Sequence, residues 1–434
     1  MRVLFVTWAW PSHYYPMVPL AWALRAGGHE VMMASQPSLA PTMLGSGLPA
    51  VTVGHDLDVQ AIHRRDLGRL ALQERGTHGQ QHEIRALSSF ALFTEIALAM
   101  AEDFIALARS WGPDLIVYDP CTFAGPLAAR LTGVPALRHL FGPDVMYFAT
   151  ELAHAALPPL TTRYGLPGLN LLGTATVDPC PPRLQFPDEL TPVPRVRLRY
   201  IAYNGLSAVP GWLLEPASRP RICLTWGTSV SKLVGESAAI PGELVRACAD
   251  LAAERGDELL LAVTHEQRGQ LPDALRSVRL VESVPLQLLM ASCAVLIHPG
   301  GAGSMLTALS AGVPQLIIPQ LPDQVANAGV LATAGAGVLL HAADAAPGAV
   351  HAAAGQLLDS PSYRRAAVDI REEMDRQPGP AQIIPDLEEL ARAGAADDGP
   401  APAAASRGYG VPLSSYQALS REPGTFTRKQ GDTQ

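Results

Sequence analysis

The chain of 434 residues sets 32 Lys and Arg against 40 Asp and Glu, a formal charge of -8, with 48% hydrophobic and 17% charged residues. At roughly 150 residues per domain the length predicts two or three domains, each able to bury its own core. An acidic balance without a basic block excludes nucleic acid and anionic lipid as main partners; the apolar stretch 86–108 is broken by Glu95, Glu102 and Asp103, so no membrane span of about 20 uncharged residues is expected.

The opening MRVLFVTWAW holds one Arg, no helical apolar region and no small-residue cleavage site, and reads as a strand rather than a signal peptide. An aromatic and Pro-rich loop follows, then a helix from Val18 to Gly27-Gly28 and a strand over residues 30–34. That is one βαβ unit, and it implies parallel strands in a doubly wound sheet. The rhythm returns as a strand at 114–118, a helix at 125–132 and a strand at 133–137. Residues 55–90 are polar and rich in His and Arg and predict loops and short helices. Residues 156–220 are dense in Pro and Gly and predict the end of a domain and a linker.

A strand at 221–226 opens a second series, with a helix at 241–254, strands at 258–264, 278–281 and 294–298, a helix at 304–311 and a strand at 315–319. The expected fold is α/β, two doubly wound Rossmann-like domains facing a cleft, with ligands beyond the carboxyl ends of the strands. The expected boundaries are 1–210, 218–375, a helical region at 376–393 and a tail at 394–434 whose low apolar density reads as disorder. Five cysteines (Cys121, Cys180, Cys223, Cys248 and Cys293) lie at least 25 residues apart without a CxxC pair. This usage suits small, buried, reduced thiols in the cytoplasm and offers no zinc framework.

The most informative segment is HPGGAGS, residues 298–304, where an apolar strand runs into a glycine loop and a helix. Gly300, Gly301 and Gly303 allow close backbone approach, the free N–H groups of the helix start attract an anion, Ser304 can cap the helix or bind a phosphate oxygen, and His298 adds a donor. No Lys follows, which excludes a nucleotide-hydrolysing P-loop, and Leu306 stands where a dinucleotide fingerprint needs its third Gly. A tight turn with nothing bound is the alternative. Asp323 and Gln324, after the next strand, can grip vicinal hydroxyls, or Asp323 is a simple turn residue.

In the first series His13 lies in the loop after the opening strand and Asp119 ends a strand of the same layer. A carboxylate on one ring nitrogen fixes the tautomer and leaves the other nitrogen to take a proton, whereas a lone loop His is more often structural. Trp8, Trp10, Tyr14, Tyr15, Phe123 and Phe141 are candidates for an apolar acceptor pocket, or ordinary packing. Asp56-Leu57-Asp58 stands alone and reads as solvated carboxylates, so no metal site is expected.

These residues resemble the GT-B glycosyltransferases of actinomycete natural-product pathways, which decorate macrolide, anthracycline and other polyketide scaffolds. The resemblance rests on His298 to Ser304, Gly312 to Gln315, Pro319, Asp323-Gln324 and Asn327-Ala328 in order, with Tyr203-Asn204-Gly205 and Thr225 to Ser229 upstream. It implies His13 as the base on an acceptor hydroxyl and Asp119 as its partner. It implies Gly227, Thr228, Ser229, His298, Gly300, Gly301, Gly303 and Ser304 at the diphosphate, Val284 by the nucleobase, and Asp323 and Gln324 at the sugar.

The implied activity is an inverting, metal-independent transfer of a deoxysugar from a dTDP- or UDP-sugar, dTDP favoured, to an apolar hydroxylated aglycone in antibiotic biosynthesis. No cofactor is expected; an auxiliary activator protein and a homodimer are admitted as further partners. The rival readings are a same-fold epimerase and a catalytically silent nucleotide-sugar scaffold that activates a transferase.

Overall fold

The computed structural model describes residues 1–62, 64–65, 78–188, 191–206, 208–227, 232–233, 240–269 and 278–394. Two wholly parallel sheets dominate. The first runs in the order β3-β2-β1-β4-β5-β6-β7, with β1 Arg2–Val6, β2 Glu30–Ser35, β3 Ala50–Thr52, β4 Leu115–Tyr118, β5 Ala136–His139, β6 Ala175–Asp178 and β7 Arg195–Arg197. The second runs β10-β9-β8-β11-β12-β13, with β8 Arg221–Thr225, β9 Glu258–Val263, β10 Arg279–Glu282, β11 Cys293–His298, β12 Gln315–Ile317 and β13 Gly337–Leu339. Each sheet reverses its winding once, between β1 and β4 and between β8 and β11, and a doubly wound sheet opens its ligand crevice at such a point.

The sequence dictates this arrangement through burial. The central strands are apolar on both faces, β4 being buried at all four positions, as a sheet covered by helices on both sides requires. Gly125 lets the helix Ala124–Thr132 lie directly on Tyr118, whose Cβ a side chain at 125 would strike.

Three expectations are corrected. Where loops and short helices were expected up to residue 90, a helix runs from His78 to Trp111. Its buried Phe90, Ile96, Ala97, Met100, Phe104 and Ala108 make the stripe that anchors it, and extension of a nucleated helix adds one hydrogen bond per residue. Inside the expected linker, β6 and β7 continue the first sheet; strands of three and four residues are too short to show a period. The helix after the glycine loop starts at Ala302 with Gly301 as its cap, so Ser304 lies in its first turn and does not cap it.

The chain crosses between the domains twice. After the helix Pro361–Arg376, which packs on the helix Ala302–Ser310, it returns to the first domain. There Ile383 and Leu387 enter the core formed with Leu20, Leu24 and Val3. Of the expected tail at 394–434, residues 395–434 lie outside the described residues. Among the described residues no helix is long and apolar enough to cross a membrane.

Candidate active site

The carboxyl ends of the two sheets face each other across a cavity of about 850 Å³, lined by both domains. On the first wall, β1 runs into Thr7 and Trp8, and the short helix Pro11–Tyr14 starts from an extended Trp10 with Pro11 in its first turn. This presents His13 to the cavity. Its Nδ1 lies 3.0 Å from Asp119 Oδ1, at the end of the adjacent β4. Asp119 is fully buried, and it also accepts from the Cys121 N–H at 2.9 Å and from the Thr122 hydroxyl. Burial opposes its charge, but the bonds from His13, Thr122 and Cys121 outweigh burial and hold its pKa below the ordinary value.

A carboxylate only accepts, so Nδ1 carries the proton towards Asp119 and Nε2 keeps a lone pair. The Trp8 indole N–H, 3.2 Å from the same Nδ1, would need that nitrogen as acceptor; the two bonds exclude each other, and the buried charge wins. Phe141 closes the other side of the ring at 4.2 Å between centroids.

On the second wall, β8 leads through Trp226 to Gly227, with φ of 65°; Gln267 donates to the Gly227 carbonyl at 2.7 Å. Thr228 and Ser229 lie outside the described residues. Gly300 sits at φ 100°, and a Cβ there would come within 2.6 Å of Ile317. Its carbonyl accepts from Asn327 at 2.9 Å. Gly301 and Gly303, by contrast, have open space where a side chain would stand, so only an incoming ligand needs them bare. The first N–H groups of the helix Ala302–Ser310 lack intrahelical partners, and Gly301, Ala302, Gly303 and Ser304 line the cavity.

Both ring nitrogens of His298 have partners within the protein. The residue is fully buried, its Nε2 donates to Gln315 Oε1 at 2.9 Å, and its Nδ1 accepts from the Gly300 N–H at 3.1 Å. Loss of water holds its pKa down at about 4, so a neutral imidazole braces the glycine loop from behind. Gln324 is likewise half committed, since its Oε1 accepts from the N–H groups of Gln320 and Leu321 at 2.8 and 3.1 Å; its NH2 is left for the cavity it lines. Asp323 opens onto the cavity, yet protein from both walls surrounds it, and this desolvation raises its carboxyl pKa against the opposing influence of His13. Val284 lines the cavity beside Ser283, whose φ of 53° is unusual for a residue other than glycine.

Of the aromatic candidates, Trp8, Trp10, Tyr15 and Phe141 line the cavity, while Tyr14 and Phe123 belong to the core, Tyr14 bonded to Ser46. Cys121 is buried, as expected of all five cysteines, and also lines the cavity. Three contributions carried no sequence signal. Tyr200 donates to the Gly303 carbonyl at 3.2 Å and meets Thr307 at 3.0 Å, tying the interdomain segment to the donor helix. From the second domain, Lys232 reaches over the Trp10 ring at 5.6 Å. The turn holding Phe141 and Gly142 is anchored by the buried pair Arg138 and Asp144, 2.6 Å apart.

Family models of the erythromycin biosynthesis protein CIII-like N-terminal and C-terminal domains match residues 22–227 and 246–390. The chain is 39% identical to a 10-deoxymethynolide desosaminyltransferase of Streptomyces venezuelae, over 90% of this chain and 97% of the relative. It is 38% identical to an aclacinomycin-T 2-deoxy-L-fucose transferase of Streptomyces galilaeus, over 90% and 96%. Among solved structures, the spinosyn rhamnosyltransferase SpnG complexed with thymidine diphosphate matches with a TM-score of 0.74 and 32% identity, over 89% of this chain and 100% of that one. These relatives are transferases, which sets aside the epimerase and the silent scaffold. The chain therefore belongs to the erythromycin biosynthesis protein CIII-like family and is a GT-B glycosyltransferase.

Proposed function

We propose that this enzyme moves a deoxysugar from thymidine diphosphate to a hydroxyl of a polyketide-type aglycone, with inversion at the anomeric carbon, in the cytoplasm. One observation carries the reading. An imidazole oriented by a buried carboxylate, His13 with Asp119, faces the open start of the helix Ala302–Ser310 across a single cavity. The relatives named above transfer deoxy and amino sugars, and a related structure holds thymidine diphosphate.

In this reading the first domain binds the acceptor and the second the donor. The aglycone rests on Trp8, Trp10 and Phe141, and its hydroxyl approaches Nε2 of His13. Nε2 takes the proton as the oxygen attacks the anomeric carbon from the side opposite the diphosphate, a contribution of about 10²–10⁴-fold in rate. Asp119 stabilises the imidazolium that forms. The N–H groups of Ala302, Gly303 and Ser304 meet the charge growing on the departing diphosphate, and fixed amides do so without reorganising. Asp323 and the Gln324 NH2 hold the sugar between the walls.

The test is product analysis with a panel of dTDP- and UDP-sugars and polyketide aglycones, run on the chain alone, with activator proteins added, and alongside its solution mass. The reading expects a glycoside of inverted anomeric configuration, read by NMR coupling constants. Retained configuration, or donor turnover without a glycoside under all conditions, overturns it.

A further inference from the structure

The turn after β4 brings three unlike donors together at the acceptor wall. Cys121 follows Asp119 by two residues, and one donor atom each from His13, Asp119 and Cys121 lies within 4.8 Å of the others. No other trio of His, Cys, Asp or Glu among the described residues comes as close. All five cysteines are buried, and Cys121 is the one among them that lines the cavity.

A nitrogen, an oxygen and a sulfur form the donor set that a borderline-soft cation takes, at about 2.0–2.3 Å from each, with its ligand atoms about 3.5 Å apart in a tetrahedron. The present spacing needs only a side-chain adjustment of about 1 Å to reach that figure. The charges also match, since a carboxylate and a thiolate supply two negative charges beside a neutral imidazole. His13 and Cys121 line the cavity, and Asp323 on the opposite wall adds a carboxylate that acts electrostatically on both. Thr122 and the Cys121 N–H hold the Asp119 oxygens from behind, the arrangement that orients a ligating carboxylate.

We propose that His13, Asp119 and Cys121 form an inhibitory site for a thiophilic divalent cation such as Zn2+. Binding forms a metal–sulfur bond and releases the Cys121 thiol proton to solvent, with no change of oxidation state. Ligation through His13 Nδ1 moves that nitrogen's proton to Nε2, and ligation through Nε2 uses its lone pair. Either way no lone pair remains for an acceptor hydroxyl, so the occupied enzyme does not transfer. The resting thiol is held well above its ordinary pKa by burial and by the Asp119 and Asp323 charges. The inhibition rests on His13 being the base; the binding does not.

The test uses the full chain, kept free of oxygen, with Co2+ as spectroscopic probe and Zn2+ as competitor. One Co2+ per chain should bind with a near-ultraviolet thiolate-to-metal absorption, and equimolar Zn2+ should erase it. Cys121→Ser should abolish the absorption and weaken Zn2+ at least about tenfold, and His13→Ala, which leaves the sulfur in place, should weaken Zn2+ similarly. Thymidine diphosphate binding checks that each variant is folded. Absence of the absorption at stoichiometric Co2+, or its persistence in Cys121→Ser, overturns the site. Stoichiometric Zn2+ binding that leaves transfer untouched overturns the inhibition, and with it the assignment of His13 as base, while the cation site stands.

Discussion

Gly142 of the first domain and Ala302 of the second meet so closely that a Cβ at position 142 would lie 2.5 Å from that of Ala302. The neighbouring Phe141 packs on His13, and Ala302 opens the donor helix, so one turn touches both halves of the reaction. Gly142→Ala should push the walls apart and lower kcat at least about tenfold, with a stability cost of about 1–3 kcal/mol for the overpacked contact. Steady-state kinetics and denaturant unfolding check this. Wild-type kcat in the variant would show that the contact does not set the distance between base and donor.

His13→Ala removes the proton acceptor and leaves the opposite wall intact. Turnover should fall about 10²–10⁴-fold while thymidine diphosphate affinity, measured by calorimetry, stays within about twofold. Asp119→Asn keeps the shape of the site but no longer holds the imidazole in one tautomer, and its kcat should fall in the same range. Equal losses of kcat and nucleotide affinity would make His13 a structural residue.

Two substitutions on the donor wall separate support from contact. His298→Ala strips partners from the Gly300 N–H and from Gln315, each worth about 1–3 kcal/mol when left buried and unpaired, so stability and nucleotide affinity should fall together. Gly303→Ala meets no protein atom, and replacing a helical glycine should stabilise the fold by about 0.5–1 kcal/mol. Its methyl group nevertheless stands where the diphosphate would approach, and affinity should drop at least about tenfold. A stable Gly303→Ala that binds thymidine diphosphate normally would place the diphosphate elsewhere.

Burial holds His139 and His298 neutral, both at about 4 against an ordinary 6.5. In this window the unfolded chain binds more protons than the folded one, so their contribution is complete above pH 6.5 and is lost as pH falls towards 4. Asp178 acts in the opposite sense, because burial raises it from 3.8 to about 6 and the folded chain then holds the extra proton. The net excess in the unfolded chain is about one proton between pH 4 and 6.5 and vanishes above that. Urea unfolding of His139→Leu should show a pH slope smaller than wild type by about 1.4 kcal/mol per pH unit. Identical slopes would mean that His139 titrates normally in the fold.

The βαβ rhythm and the glycine loop were legible because each is local: an apolar run, a glycine cluster and a helix follow one another within about ten residues. The direction of the His298 ring was not, since its partner Gln315 lies 17 residues on and becomes a neighbour only when β11 and β12 pair. Tyr14 and Tyr15 are adjacent and chemically alike, yet one enters the core against Ser46 and the other lines the cavity, because consecutive helical residues point about 100° apart. Phe141 was visible as an aromatic on a loop, but the Arg138–Asp144 pair that fixes it had no pattern to betray it.

The return of Ile383 and Leu387 to the first domain's core bears on engineering. A hybrid that joins the acceptor half of one enzyme to the donor half of another at the interdomain segment alone would import a foreign terminal helix into that core. Donor-half grafts therefore need two junctions, one between β7 and β8 and another after Arg376, so that the final helix keeps its native host.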